Sequence, residues 1–298
     1  MFKILLTIFL SQLLSYNMQT NSQVLGWQAS GEQVAGDEII VSAPQRINPQ
    51  NLGLEISAAS ALTIDVRSGK ILFEKKPTSV RSVASITKLM TVLVFLDTQP
   101  NLEQEFSLTS ADLTVGSKLN LLFGEKTSLK NILALALINS DNNATLALVR
   151  STGLSSDEFV KKMNLKAQEL NLTETVFNEP VGLSSENKSN VASVAKLLSQ
   201  ALANEIIADL LQQKSYTFKS LLNKNHTIKN TNLLLGAYVY SLGGKTGFTE
   251  EANYCFTGKF KLKNNAEVIT VVLGSETNEK RFQDTKAMLH WVETNYQW

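Results

Sequence analysis

The sequence predicts an α+β fold, an α/β sandwich in which one antiparallel sheet is divided along the chain by a helical insertion. Three observations predict it: strand-like segments come first, helix-length segments dominate residues 100–204, and strand-like segments return after Lys214. Apolar residues that recur every three to four positions indicate helices, whereas β-branched runs bounded by turn residues indicate strands. Strands from both ends of the chain would then form a single sheet flanked by helices.

The length and composition are those of an ordinary globular protein, and they exclude several classes of function. The 298 residues suffice for one large or two modest domains. The net charge is +1 without a long run of like charges, so we expect no nucleic-acid partner. One cysteine, Cys255, and two histidines, His226 and His290, predict no disulfide framework, no metal site and no cofactor.

The N-terminus has the pattern of a signal peptide, which we place at residues 1–22. Lys3 precedes a mostly apolar run at residues 4–14, which is shorter than a membrane span requires. We therefore expect export to the periplasm or cell envelope, outside the cytoplasmic membrane, and an uncleaved N-terminal membrane tether is the alternative. Residues 23–50, rich in Asn, Gln, Ser and Gly, predict a linker, and residues 51–298 predict the folded domain.

The folded domain opens with a predicted antiparallel hairpin. Residues 58–66 and 71–73 are rich in β-branched side chains, and the turn between them contains Gly69. Residues 86–96 follow, almost wholly apolar and without Gly or Pro, and they predict a buried helix.

The remaining elements alternate as the fold class requires. Helices are predicted at residues 129–138, 144–150, 157–170 and 190–211, and strands at residues 216–218, 238–241, 252–260 and 268–273. The last segment, residues 278–296, is amphipathic, and its predicted buried face consists of Phe282, Met288, Leu289, Trp291 and Val292.

A hydroxyl and an amine stand at the head of the helix predicted at residues 86–96. Ser85 and Lys88 are three positions apart, which at about 100° per residue puts them on one face. A serine hydroxyl is a poor nucleophile until a base takes its proton, and burial can lower the pKa of a lysine enough to make it that base. The pattern S-x-x-K also occurs at residues 185–188 and 193–196, so it does not identify the site alone.

Two further polar stretches lie between apolar ones. Ser140 and Asn142 stand between two apolar helical runs, where buried polar groups must find partners. Residues 243–247 combine glycines, which allow close approach of a ligand, with Lys245 and Thr246, a cation and a hydroxyl suited to a carboxylate. A helix N-cap in the first stretch and a hairpin corner in the second are the structural alternatives.

Together the three stretches resemble the S-x-x-K, S-x-N and K-T-G elements of the serine penicillin-recognising enzymes, in the same order. The opening hairpin and residues 177–183, 230–232 and 243–255 resemble the serine-type D-alanyl-D-alanine carboxypeptidases, the low-molecular-mass penicillin-binding proteins of peptidase family S11. The resemblance covers residues 54–298. It implies a β-lactamase/transpeptidase-like catalytic domain with an all-helical subdomain at about residues 100–204.

The chain departs from the family pattern at two positions beside the S-x-N element. It has Asp141 and Asn143 where the family usually has Gly and Asp. Neither change removes a matched functional residue, although an aspartate in the middle of this element also resembles the pattern of class A β-lactamases.

By resemblance, Ser85 attacks the carbonyl between two D-alanines, Lys88 accepts its proton, and Ser140 relays a proton to the leaving amine. Lys88 must be neutral for this, and we expect the positive charge of Lys245 to lower its pKa. Asn142 would hold the substrate amide.

The resemblance also assigns the terminal carboxylate of the substrate to Lys245 and Thr246. The oxyanion would lie between the backbone N–H groups of Ser85 and Phe248, a contact worth about 3 kcal/mol per donor in comparable sites. Gly247 would keep that approach open.

The implied substrate is a peptidoglycan pentapeptide ending in D-Ala-D-Ala, with β-lactam antibiotics as covalent inhibitors. The alternatives are a D,D-endopeptidase or transpeptidase, a β-lactamase, and a non-catalytic peptidoglycan-binding protein. A class A β-lactamase needs a glutamate in an E-x-x-L-N loop, and this chain has Ala167 there. Glu169 ends an amphipathic helix containing Phe159, Met163 and Leu165, so we expect it to face solvent.

Overall fold

The computed structural model describes residues 42–51, 53–114, 119–237 and 240–298. Its α-helices are α1 (Thr87–Asp97), α2 (Leu129–Ile138), α3 (Asn142–Ser151), α4 (Ser156–Glu169), α5 (Val191–Ala203), α6 (Glu205–Gln212) and α7 (Asn278–Asn295). Two short 3-10 helices span Ala84–Ile86 and Ser110–Asp112. The strands are β1 (Gln45–Arg46), β2 (Ser60–Asp65), β3 (Ile71–Lys75), β4 (Arg81–Ser82), β5 (Glu105–Ser107), β6 (Lys126–Ser128), β7 (Lys188–Ser189), β8 (Ser215–Lys219), β9 (Asn225–Lys229), β10 (Tyr240–Thr249), β11 (Asn253–Lys261), β12 (Glu267–Ser275) and β13 (Tyr296–Gln297).

The predicted fold class is confirmed. A five-stranded antiparallel sheet has the order β10-β11-β12-β2-β3, so the opening hairpin and the C-terminal strands form one sheet. Helices α1 to α6 are encoded between β3 and β10. The chain therefore leaves the sheet after its edge strand and returns to it at the opposite edge.

Alternate side chains of β12 enter two different apolar cores. Val268 and Val272 pack in the smaller core beneath α7, whereas Ile269, Val271 and Leu273 pack in the larger core, which contains the buried residues of α1 and α5. A strand covered on both faces reads as a continuous apolar run, because successive side chains point to opposite faces. The sheet is therefore the middle layer of the sandwich.

Most predicted elements match observed ones, but β9 was not predicted, β10 extends well beyond the strand predicted at residues 238–241, and three further differences concern the helices. Residues 190–211 form two helices, because the side chain of Asn204 accepts hydrogen bonds from the N–H groups of Ile206 and Ile207 and starts α6. Leu165 is exposed and Ala167 takes the buried position in α4. On α7 the predicted face is buried except for Trp291, which is partly buried.

The predicted signal peptide and most of the predicted linker lie outside the described residues, as do residues 238–239 of the strand predicted at 238–241. None of the described helices alone is long and apolar enough to cross a membrane, and only the bent pair α5 and α6 meets that length and hydropathy together.

Candidate active site

Ser85 lies in the one-turn 3-10 helix directly before α1. The preceding residue, Ala84, is buried and has φ +47°, a left-handed conformation that is uncommon for a residue with a Cβ. The strand pair β4–β7 and the hydrogen bond from the Val83 N–H to the Asn187 carbonyl, 3.1 Å, fix the segment just before Ser85. The hydroxyl is therefore presented on a turn that is held by two parts of the chain.

The amine of Lys88 is fully buried and contacts three oxygens. Its Nζ lies 2.8 Å from Ser85 Oγ, 2.7 Å from Asn142 Oδ1 and 2.7 Å from the Val181 carbonyl oxygen. An ammonium can donate to all three, whereas a neutral amine has two N–H bonds and one lone pair. When Asn142 and Val181 accept those two N–H bonds, the lone pair faces the Ser85 hydroxyl.

The pKa of Lys88 is suited to this exchange. Burial lowers it from 10.5 to about 7, and the negative charges of Glu179 and Asp141 oppose that decrease. Both protonation states are therefore populated near neutral pH, which is the condition that an efficient general base requires.

Lys245 is the second buried lysine of the site. Its Nζ donates to Ser140 Oγ at 2.7 Å and to the Thr246 carbonyl at 3.2 Å. Burial lowers its pKa well below 10.5, and the charges of Lys88 and Arg281 lower it further. The sequence analysis expected the charge of Lys245 to lower the pKa of Lys88; burial is the main cause of that shift, and the repulsion between the two amines contributes to the low pKa of Lys245.

The Ser140-Asp141-Asn142 segment connects the two lysines. Ser140 contacts Lys245 and Asn142 contacts Lys88. Asp141 between them is the N-cap of α3, because its carboxylate accepts the Ala144 N–H at 2.9 Å. The N-cap interpretation therefore holds for Asp141, while its two neighbours contact the buried amines.

Two glycines let backbone approach Ser85 closely from both sides. A Cβ on Gly247, in β10, would lie 2.8 Å from the Val83 carbonyl oxygen and 3.2 Å from the Ser85 nitrogen. Gly182 has φ +93°, and a Cβ there would lie 2.1 Å from the Ala84 carbonyl oxygen. Real Cβ atoms do not approach backbone so closely, so both positions require glycine.

The remaining predicted residues line the same strand. Thr246 is buried and its Oγ1 donates to Thr231 Oγ1 at 2.6 Å. Phe248 is 49% exposed and stacks on Tyr254 with ring centroids 4.3 Å apart. The structure thus brings together all eight residues that the sequence singled out, namely Ser85, Lys88, Ser140, Asn142, Lys245, Thr246, Gly247 and Phe248.

Comparison with known proteins decides the family. Residues 44–277 match the model of peptidase family S11, the D-alanyl-D-alanine carboxypeptidases. The chain belongs to this family. It is 32% identical over 268 residues to a D-alanyl-D-alanine endopeptidase of Pseudomonas aeruginosa, covering 86% of this chain and 84% of that one. It is also 32% identical to the carboxypeptidase DacF of Bacillus subtilis, covering 80% of this chain and 63% of that longer protein.

Solved structures of the same fold agree with this S11 assignment. The Streptomyces K15 DD-transpeptidase superposes with a TM-score of 0.76 at 27% identity, covering 82% of this chain and 100% of that one. The ampicillin-bound form of penicillin-binding protein D2 from Listeria monocytogenes gives a TM-score of 0.71 at 27% identity, covering 81% and 100%.

Two residues of this S11 protein escaped the sequence analysis as contributors to the site. Thr231 was noted only as part of a family-like segment, yet it accepts the Thr246 hydroxyl. Glu179 was noted in the same way, yet its charge acts on Lys88. Their positions among turn-forming Asn and Pro residues indicated ordered loops, but only the folded chain shows where those loops lie.

Other conspicuous residues have structural environments. Cys255 is fully buried and burial raises the pKa of its thiol to about 11, so it is a small buried residue and not a reactive thiol. His226 Nε2 lies 2.7 Å from Glu125 Oε1, and His290 is exposed. Across the described ranges, no group of three or more His, Cys, Asp or Glu side chains could hold a metal ion.

Proposed function

We propose that this protein is a serine D,D-carboxypeptidase that removes the terminal D-alanine from peptidoglycan stem peptides through an acyl-enzyme on Ser85. The observation that carries the proposal is the Lys88 amine, which lies 2.8 Å from the Ser85 hydroxyl with two further oxygens to accept its N–H bonds. A hydroxyl and a base at this distance can exchange a proton directly.

In the acylation step, Ser85 Oγ forms a bond to the carbonyl carbon of the penultimate D-alanine while Lys88 takes the hydroxyl proton. The N–H groups of Ser85 and Phe248 stabilise the negative oxygen. The carbon–nitrogen bond then breaks, and Ser140 relays the proton held by Lys88 to the leaving amine, so that Lys88 is neutral again and Ser140 keeps its hydroxyl. Ser140 is suited to this relay because it contacts the Lys245 amine at 2.7 Å.

Other residues of the site bind the substrate. Lys245 and Thr246 bind the terminal carboxylate, and the incoming negative charge favours protonated Lys245. Asn142 orients the substrate amide. Water then attacks the ester carbonyl, Ser85 recovers its proton, and the shortened peptide leaves.

A D,D-endopeptidase is the second candidate, because the P. aeruginosa relative bears that name. The two activities cleave the same kind of bond and differ in whether the leaving group is free D-alanine or a cross-linked strand. The purified protein should release D-alanine from a pentapeptide faster than it splits a cross-linked dimer. The opposite ranking would assign the endopeptidase activity.

A β-lactamase activity is disfavoured because the chain has no glutamate at the position where a class A enzyme needs one. Ala167 is buried there, and Glu169 is exposed and pairs with Lys166 at 3.0 Å. Without that glutamate a penicilloyl adduct should persist for many minutes in mass spectrometry, because the leaving fragment of penicillin stays tethered and shields the ester from water, whereas D-alanine diffuses away. Rapid penicillin turnover without release of D-alanine would make the protein a β-lactamase.

The proposed reaction places the protein outside the cytoplasmic membrane, where peptidoglycan is assembled. This agrees with the signal peptide predicted at residues 1–22, with an uncleaved membrane tether as the alternative. N-terminal sequencing of the protein recovered from the cell envelope would distinguish the two. A non-catalytic binding role is disfavoured because buried lysines at a site without chemistry would only destabilise the fold.

A further inference from the structure

The loop at residues 179–184 lies against the nucleophile turn and carries one of the two acceptors of Lys88. The Val181 carbonyl accepts the amine at 2.7 Å, and Gly182 packs against the Ala84 carbonyl. The position of this loop therefore decides where the lone pair of neutral Lys88 points.

The carboxylate of Glu179 accepts hydrogen bonds from four backbone N–H groups of that loop. Glu179 accepts the N–H of Val181 at 2.6 Å, Gly182 at 2.5 Å, Leu183 at 2.8 Å and Ser184 at 3.3 Å. A carboxylate can accept several hydrogen bonds at once, and those to a charged acceptor are stronger than neutral ones. The four N–H groups form a concave anion-binding nest, and the Glu179 carboxylate is the anion that occupies it.

The carboxylate is in turn held by a buried amide. Asn187 is fully buried; its Nδ2 donates to Glu179 Oε1 at 3.0 Å and to the Glu179 carbonyl at 2.8 Å. The same Nδ2 lies 3.1 Å from the hydroxyl of Thr87, in the first turn of α1. Glu179 is thus tied to the helix that carries Lys88.

We infer that Glu179 is a positioning residue of the active site, whose carboxylate shapes residues 181–184 so that the Val181 carbonyl and the Asn142 oxygen together aim the Lys88 lone pair at Ser85. The inference rests on the proposed function of Lys88 as general base. It assigns to Glu179 a role that acts through Lys88 and not through contact with substrate.

The charge of Glu179 has a second effect on the same amine. Burial lowers the pKa of Lys88, and Glu179 is the first of two carboxylates that oppose this, the other being Asp141 at the start of α3. The nearby positive charges are Lys245, whose pKa the charge of Lys88 lowers, and Arg281, which also acts on Lys245. Removal of the Glu179 charge should therefore lower the pKa of Lys88.

The decisive variant is Glu179→Gln, which keeps the size of the side chain and removes its charge. We expect the pH midpoint of penicillin acylation to move below that of the wild type, and the maximal rate to fall about 10- to 100-fold because the base is misplaced. The matched control is Glu186→Gln, an exposed carboxylate near the same loop whose contact is Lys188 at 3.0 Å. It should leave both values unchanged.

The ionisation of Lys88 can also be measured without any enzymatic activity, by NMR titration of protein that carries 13Cε-labelled lysine. The Lys88 signal is assigned by its absence in the Lys88→Arg variant. A wild-type protein that is not acylated by penicillin would sink the proposed function, yet the NMR titration would still test Glu179. An unchanged Lys88 midpoint in folded Glu179→Gln would overturn the inference.

Glu179→Asp provides a second test if the glutamine variant does not fold. It retains the charge but shortens the reach by one methylene, so the midpoint should stay near that of the wild type while the acylation rate falls. A wild-type rate in Glu179→Asp would show that the shape of the loop does not depend on this carboxylate, and the positioning role would be wrong.

Discussion

Two S-x-x-K sequences lie at the beginnings of buried helices in this protein, and only one forms a site. At the start of α1, Lys88 contacts Ser85 and is fully buried. In α5, the Ser193 hydroxyl donates to the Thr173 carbonyl at 2.6 Å, and Lys196 Nζ points to the Asn171 carbonyl at 3.3 Å. The spacing is the same, but the serine and the lysine of α5 have separate partners.

The difference lies in what the rest of the chain brings to each pair. Lys88 receives Asn142 from α3 and Val181 from a distant loop, which together leave its lone pair facing Ser85. Burial lowers the pKa of Lys196 as well as that of Lys88. A lowered pKa is therefore insufficient, and the oriented acceptors distinguish the two pairs.

The largest effect is expected from Ser85→Ala. Loss of the nucleophile should abolish covalent labelling by a fluorescent penicillin, while circular dichroism shows a folded protein because only one small atom is removed. Full labelling of the folded variant would show that Ser85 is not the nucleophile. Labelling at Ser193 would show that the pair in α5, and not the pair at α1, forms the site.

Lys88→Arg tests the base. A guanidinium does not lose its proton, so we expect acylation to fall about 10²- to 10⁴-fold. In the wild type the neutral base is present above its pKa, and acylation should therefore rise with pH through a midpoint at about 7. A flat profile between pH 6 and 8 would contradict the role of Lys88.

Lys245→Gln tests the carboxylate site. A hydrogen bond to a charged group contributes about 1.5–3 kcal/mol, so kcat/KM for the pentapeptide should fall roughly 10- to 100-fold. The acylation midpoint of Lys88 should move little, because burial is the main cause of its low pKa. A clear upward move of that midpoint would show that the charge of Lys245 also lowers the pKa of Lys88, as expected from the sequence.

The smallest effect is expected from Ser193→Ala. It removes one hydrogen bond to the Thr173 carbonyl, at a cost of about 1 kcal/mol in the free energy of unfolding. Urea denaturation measures that cost, and penicillin labelling should remain at the wild-type level. Loss of labelling in a stable Ser193→Ala protein would indicate a role in the site after all.

The sequence predicted the sheet, and it singled out the residues of the proposed site, because both leave strong local patterns. The apolar runs of β12 and α1 are long enough to be read directly. The N-cap at Asn204, which divides residues 190–211 into two helices, was also readable, since Asn is a preferred N-cap.

Other features depend on distant parts of the chain meeting. Strands β4 and β7 have two residues each, too few for a periodicity, although they fix the turn before Ser85. The contacts of Glu179 are made with backbone N–H groups, whose directions no side-chain pattern reveals. The complete burial of both lysine amines, which is the main cause of their lowered pKa values, likewise depends on distant parts of the chain.

The burial of Lys88 has a consequence for the thermodynamic stability of the protein. Its pKa is about 7 in the folded state and near 10.5 when the chain is unfolded, so between these values the unfolded chain binds a proton that the folded chain does not. The ionisation of Lys88 should therefore make the free energy of unfolding rise as the pH increases from about 7 to about 10.5. Near neutral pH the burial of Lys88 therefore costs the folded state stability that is regained above pH 10.5, and this cost accompanies the lowered pKa that the proposed base requires.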